Sequence, residues 1–214
     1  MMPVKMPIDV IFDIICPWCY IGKKRLERTL DARPDIEAHI RWRPFLLSPE
    51  IPPDGIDRTL YLANKYGGEA RIRRVQGAIA NAGQSVAIDF NFERIRHTPN
   101  SLDAHRLIRF AALEGKAAET VESLYSGYFI DGLNIGAHNV LGDIAASVGL
   151  DRDDIQARLA GDSETAAIYD ENARAHRLGV NGVPSFVFGA SMVISGAQDP
   201  KVLAKLIDAA AKAA

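Results

Sequence analysis

Residues 13–23 read Asp13-Ile14-Ile15-Cys16-Pro17-Trp18-Cys19-Tyr20-Ile21-Gly22-Lys23, two cysteines at the junction of an apolar run and a helical pattern. Upstream of it, from Pro7, the chain is dense in Ile, Val and Phe, which predicts a strand ending at 13–15. Downstream, Ile21, Leu26 and Leu30 fall on one face of a helix over 20–30. Lys23, Lys24, Arg25, Glu27 and Arg28 lie largely elsewhere on it. A break over 31–34 precedes a second strand over 38–47, with Ile40, Trp42 and Phe45 expected on its buried side. Strand, helix and strand in about forty residues make a βαβ unit.

Strand signals return near the other end. Val183-Pro184-Ser185-Phe186-Val187-Phe188 and Met192-Val193-Ile194-Ser195, joined by a turn at Gly189-Ala190-Ser191, predict a β-hairpin. Asp199 then suits the N-cap, and Pro200 the first turn, of a closing helix. Between the two ends, apolar residues three and four apart predict helices over 58–66, 69–81, 101–114, 117–129, 140–148, 153–159 and 164–178. Loose alternation over 86–92 predicts an extended segment. The expected organisation is an α/β domain assembled from 1–47 and 177–214, bracketing a helical insertion domain over 48–176.

Composition narrows the function. In 214 residues, 25 Lys and Arg against 27 Asp and Glu leave a net charge of -2, which gives neither nucleic acid nor an anionic membrane an electrostatic hold. Asp9 and Asp13 interrupt the apolar N-terminal run that a secretory signal would need, and no run approaches the length of a membrane span. The expected setting is the cytoplasm.

The two cysteines, Cys16 and Cys19, stand three apart at a strand-to-helix junction. They could pack as small core residues or ligate zinc. Zinc requires two more ligands, and His39, His97, His105, His138 and His176 show no paired ligand spacing, so no metal is expected. The third reading is a redox dithiol. A cysteine in the first turn of a helix meets unpaired N–H groups and the positive dipole end, which favour thiolate. Cys16 is therefore the expected nucleophile, and Cys19, one turn inside, the shielded resolving thiol. Pro17 suits the first turn, having no N–H to leave unpaired, and Trp18 offers either an apolar plane to substrate or simple packing. Asp13, three residues before Cys16, is a candidate proton relay for Cys19 or a turn-capping residue.

The motif Cys16-Pro17-Trp18-Cys19-Tyr20-Ile21-Gly22-Lys23, the helical insert with Asn100-Ser101-Leu102-Asp103-Ala104-His105-Arg106, Val183-Pro184 before a strand, and Ser195-Gly196-Ala197-Gln198 together resemble the DsbA-type thioredoxin-fold oxidoreductases, in their FrnE-like branch. The resemblance spans essentially the whole chain. It implies a thioredoxin-like fold with a large inserted helical domain. It also implies a cis Pro184 facing the dithiol, a Val183 backbone that pairs with an extended substrate segment, and a cleft wall that includes Asn100 and His105. From the residues alone, Asn100 reads equally as a helix cap, and His105 and Arg106 as core and surface residues.

The implied activity is thiol–disulfide exchange on protein or small-molecule substrates, with no cofactor beyond the redox-active disulfide and glutathione as a candidate reductant or co-substrate. The alternative is a glutathione-dependent isomerase or transferase of the 2-hydroxychromene-2-carboxylate isomerase or kappa type. Those relatives carry serine where Cys16 stands. A non-catalytic binding module on the same fold is a third class. The groove is expected to be apolar, lined by Trp18, Val183 and Pro184, with no charge at Ala197-Gln198. Homodimerisation is an expectation from the commonness of twofold assemblies alone.

Overall fold

The computed structural model describes residues 3–189 and 192–212. The chain divides into two compact units, Met1–Phe45 with Glu171–Ala214, and Leu46–Asp170. The second border falls inside a continuous helix, which is why it lies earlier than the loop near 177 that the sequence suggests.

The first unit is built on a four-stranded sheet of order β2-β1-β5-β6, with β1 at Val4–Phe12, β2 at Ile36–Pro44, β5 at Ser185–Phe188 and β6 at Met192–Ser195. β1 and β2 run parallel, joined by the helix α1 (Pro17–Asp31), while β5 is antiparallel to both β1 and β6. The predicted βαβ and ββ pieces thus share one sheet. Ala190 and Ser191 of the expected hairpin turn lie outside the described residues.

Period-two alternation sorts the faces. Ile8 pairs with Phe188 and Val10 with Phe186, all four buried. This face meets α1, and it also meets α9 (Pro200–Lys212), which packs beside α1 through Leu203 and Ile207. Asp199 caps α9, its carboxylate accepting from the Lys201 N–H at 2.9 Å. The opposite face carries Asp9, which receives Arg41 at 2.5 Å and Arg43 at 3.2 Å. Arg43 continues to Glu171 of α8 (Thr165–Arg177) at 3.1 Å. Phe45 is buried as expected, but Ile40 and Trp42 are only half-buried, because β2 is an edge strand.

The second unit is helical: α2 (Arg58–Tyr66), α3 (Glu69–Gln84), α4 (Leu102–Leu113), α5 (Ala117–Phe129), α6 (His138–Ser147), α7 (Arg152–Ala160) and the start of α8. Its core centres on Tyr125, Tyr128 and Phe129, each fully buried. The 86–92 segment is not a strand. The Val86 and Ile88 N–H groups both bond to the Gly83 carbonyl, and a 3-10 turn follows at Phe92–Arg94. Phe90 and Phe92 stack at 5.1 Å and meet Phe129 edge-on, so the alternation reports a side-chain plug. Two short strands that periodicity could not reveal, β3 (Ile56–Asp57) and β4 (His97–Thr98), pair antiparallel here. Among the described residues no helix is long and apolar enough to cross a membrane.

Candidate active site

The end of β1 and the start of α1 place the dithiol. After Phe12 the chain turns through Asp13, whose carbonyl accepts the Cys16 N–H at 3.1 Å and whose carboxylate accepts the Ile15 N–H at 3.3 Å. Asp13 is fully buried, so its turn-forming role is present in the structure. Cys16 is the N-cap of α1 in extended conformation, and Pro17 takes the first helical position as its fixed φ favours. No side chain caps this helix start, and its first turn holds no acidic residue. Nothing in the helix therefore competes for the positive end of its dipole.

Both cysteines are free thiols. The Cys16 thiol donates to the Val183 carbonyl at 3.7 Å, which brings the CPWC motif and the segment before β5 together. Cys19 is more deeply buried and hydrogen-bonds to Cys16. Burial pushes the Cys19 thiol well up from its ordinary range. The Cys16 sulfur adds to this; a hydrogen bond from the Asp13 backbone opposes it, and the Asp13 charge, the smallest contribution, again raises it. Cys19 is thus held protonated behind Cys16. Trp18, between the two cysteines in sequence, is more than a third exposed, and Pro17 is half-buried.

The Val183–Pro184 peptide bond is cis. Pro184 is buried and Val183 half-buried, and no bond to the Val183 N–H is found among the described residues. Gly22 is what lets this segment lie against α1. A Cβ at position 22 would stand 2.8 Å from Pro184 Cγ and 3.1 Å from Phe186 Cζ. The requirement is legible only afterwards, as a glycine inside an otherwise good helix.

Two basic residues of α1 are held by partners and do not lie on an open polar face. Lys23 is buried and pairs with Glu27 at 2.6 Å. Arg25 donates from Nη1 to the Ala197 carbonyl at 2.5 Å, so a guanidinium borders a stretch expected to be free of charge.

Asn100 and His105 belong to the helical unit. Asn100 caps the approach to α4, its Oδ1 accepting the Leu102 N–H at 2.9 Å and its Nδ2 donating to the Ile51 carbonyl at 2.6 Å. His105 is buried on α4. Arg106 is not a surface residue. Its buried guanidinium donates to the carbonyls of Arg158, Leu159, Gly161 and Ser163 and pairs with Asp103, closing the C-terminal end of α7. Arg58, also buried, bonds to Tyr128 Oη at 3.2 Å with no carboxylate partner among the described residues.

A vicinal dithiol at a helix N-terminus, faced by a cis-proline segment on a four-stranded sheet, defines the thioredoxin-fold class. Within it, the DSBA-like thioredoxin domain family matches residues 7–208, and the chain belongs to that family. The uncharacterized protein YwbO of Bacillus subtilis (strain 168) is 26% identical over 205 residues, 94% of each chain. A probable DsbA oxidoreductase from Streptomyces coelicolor is 27% identical, with a TM-score of 0.89 over 96% of this chain and 89% of that one. A 2-hydroxychromene-2-carboxylate isomerase, 17% identical, shares the fold with a TM-score of 0.71 over 97% of this chain and 95% of its own.

Proposed function

We propose that this protein is a thiol–disulfide oxidoreductase that cycles Cys16 and Cys19 between dithiol and disulfide. The observation that carries the reading is the paired setting of the sulfurs. Cys16 caps α1 against the Val183 carbonyl, and Cys19 is buried behind it as a thiol.

In the reducing direction, the Cys16 thiolate attacks one sulfur of a substrate disulfide. A Cys16–substrate disulfide forms, and the other substrate sulfur leaves as a thiolate that takes up a proton. Cys19 then gives its proton to the Asp13 carboxylate and attacks Cys16, forming the Cys16–Cys19 bond and releasing the second substrate thiolate. The substrate gains two electrons and the protein dithiol loses two. The same steps reversed oxidise a substrate dithiol.

An extended substrate segment docks by main-chain pairing at the half-buried Val183, while Trp18, more than a third exposed, supplies shape-tolerant apolar contact. Glutathione enters this scheme as reductant or co-substrate, and a cytoplasmic setting belongs to the same proposal. Cys19→Ser tests the reading with a model peptide disulfide and, in parallel, 2-hydroxychromene-2-carboxylate with glutathione. Loss of disulfide turnover in the variant is expected. Isomerisation that survives the substitution, with no disulfide turnover in the wild type, would establish the glutathione-dependent alternative instead.

A further inference from the structure

The segments flanking β5 and β6 form one hydrogen-bonded body. The Gly196 N–H donates to the Pro184 carbonyl at 2.7 Å, from a backbone with φ of 88° that favours glycine. Ser185 Oγ donates to the Gly182 carbonyl at 2.8 Å and lies 2.8 Å from Ser195 Oγ. Gln198 bonds back to Ser195 through its side chain, at 2.7 Å, and to Gly196 through its N–H, at 2.9 Å. This body carries Val183 and Pro184 on one side and Ala197 on the other.

α1 meets it at Gly22 and at Arg25. Trp18, Gly22, Arg25 and Thr29 are spaced four, three and four, so they share a helix face. Gly22 admits Pro184, and Thr29 Oγ1 donates to the Arg25 carbonyl at 2.7 Å. Two side chains grip the body through hydrogen bonds: Cys16, the N-cap of α1, on the Val183 carbonyl and Arg25 of α1 on the Ala197 carbonyl. The first grip is given up when Cys16 ionises and stays lost in the mixed disulfide, because its sulfur then bears no proton to donate. The second remains. Arg25 pairs with no carboxylate among the described residues, so its charge strengthens the carbonyl bond undivided.

We propose that Arg25 is the latch that holds the 196–198 loop, and through it Val183 and Pro184, in the substrate-receiving position while Cys16 is engaged in a mixed disulfide. The proposal rests on the dithiol reading above. Arg25 is a positioning residue, one turn and more from the reacting sulfurs.

The test compares wild type, Arg25→Met and Arg25→Lys by hydrogen exchange at the Gly196 amide and by kinetics on a model peptide disulfide. Arg25→Met is expected to speed Gly196 exchange about tenfold and to raise KM about tenfold, with kcat within threefold, as loss of one charge-assisted bond implies. Arg25→Lys, which keeps a charged donor of similar reach, should recover most of both effects. Should Arg25→Met fail to fold, Arg25→Gln carries the same expectations. Gly196 exchange at the wild-type rate in the Met variant, a loss that Lys does not recover, or a fall in kcat at constant KM would each overturn the latch. A wild type with no disulfide exchange at all would instead sink the proposed function, and Gly196 exchange would still decide on the latch.

Discussion

Replacing Gly22 by alanine sets two effects of opposite sign against each other. In an open helix interior the change removes glycine's backbone freedom and stabilises by about 1 kcal/mol. Here the new methyl would stand 2.8 Å from Pro184 Cγ and 3.1 Å from Phe186 Cζ, closer than carbon atoms approach without displacement. Pro184 cannot retreat cheaply, because its carbonyl holds the Gly196 N–H and the next residue, Ser185, is tied to Gly182 and Ser195. Overpacking a fixed site costs about 1–3 kcal/mol, which exceeds the propensity gain over most of that range. Gly22→Ala should therefore destabilise by about 1 kcal/mol net, lowering Tm by about 2–4 °C for a chain of this size. Any shift of Pro184 also moves Val183 away from Cys16, so KM for a peptide disulfide should rise about tenfold. Calorimetry and steady-state kinetics on the reduced protein read both. A variant with raised Tm and unchanged KM would refute the claim that the helix and the proline segment are locked together at this point.

Two further predictions concern the buried thiol. Because the folded state raises the Cys19 pKa above its unfolded value near 8.5, the native reduced protein keeps a proton that the unfolded chain loses. Its stability relative to Cys19→Ala should be full below pH 8 and fall as pH rises, by up to about 2 kcal/mol at pH 10, as urea titrations would show. A flat difference between pH 7 and 10 would contradict the assigned burial. Asp13→Asn keeps the acceptor for the Ile15 N–H but removes the charge. Because Asp13 accepts the Cys19 proton in the proposed cycle, the resolving step in stopped-flow experiments should slow tenfold or more. A step that speeds up would show that Asp13 only opposes Cys19 ionisation and would contradict the relay.

The dithiol and its setting were legible because local chemistry dictates them. A β-branched run, a proline suited to a first helical turn and a second cysteine one turn on leave few conformations. The hairpin and the Asp199 cap follow similar short-range rules, whereas the cis Val183–Pro184 bond was expected only from the family resemblance. What escaped depends on packing at long range. Phe90 and Phe92 alternate as a strand would, yet among the described residues their segment pairs with no strand, and the two rings stack on each other instead. Lys23 and Arg25 look like solvated helix positions until Glu27 and the Ala197 carbonyl are placed beside them. Arg106 likewise shows its role only when the end of α7 arrives.

The division of labour between the two sulfurs can be read by mass spectrometry of Cys19→Ser mixed with glutathione disulfide. Peptide mapping should find one glutathione on Cys16 that persists, while the wild type treated in the same way ends as the internal Cys16–Cys19 disulfide with no adduct. A Cys19→Ser protein that acquires no glutathione, or a wild type that retains its adduct as long as the variant does, would contradict the claim.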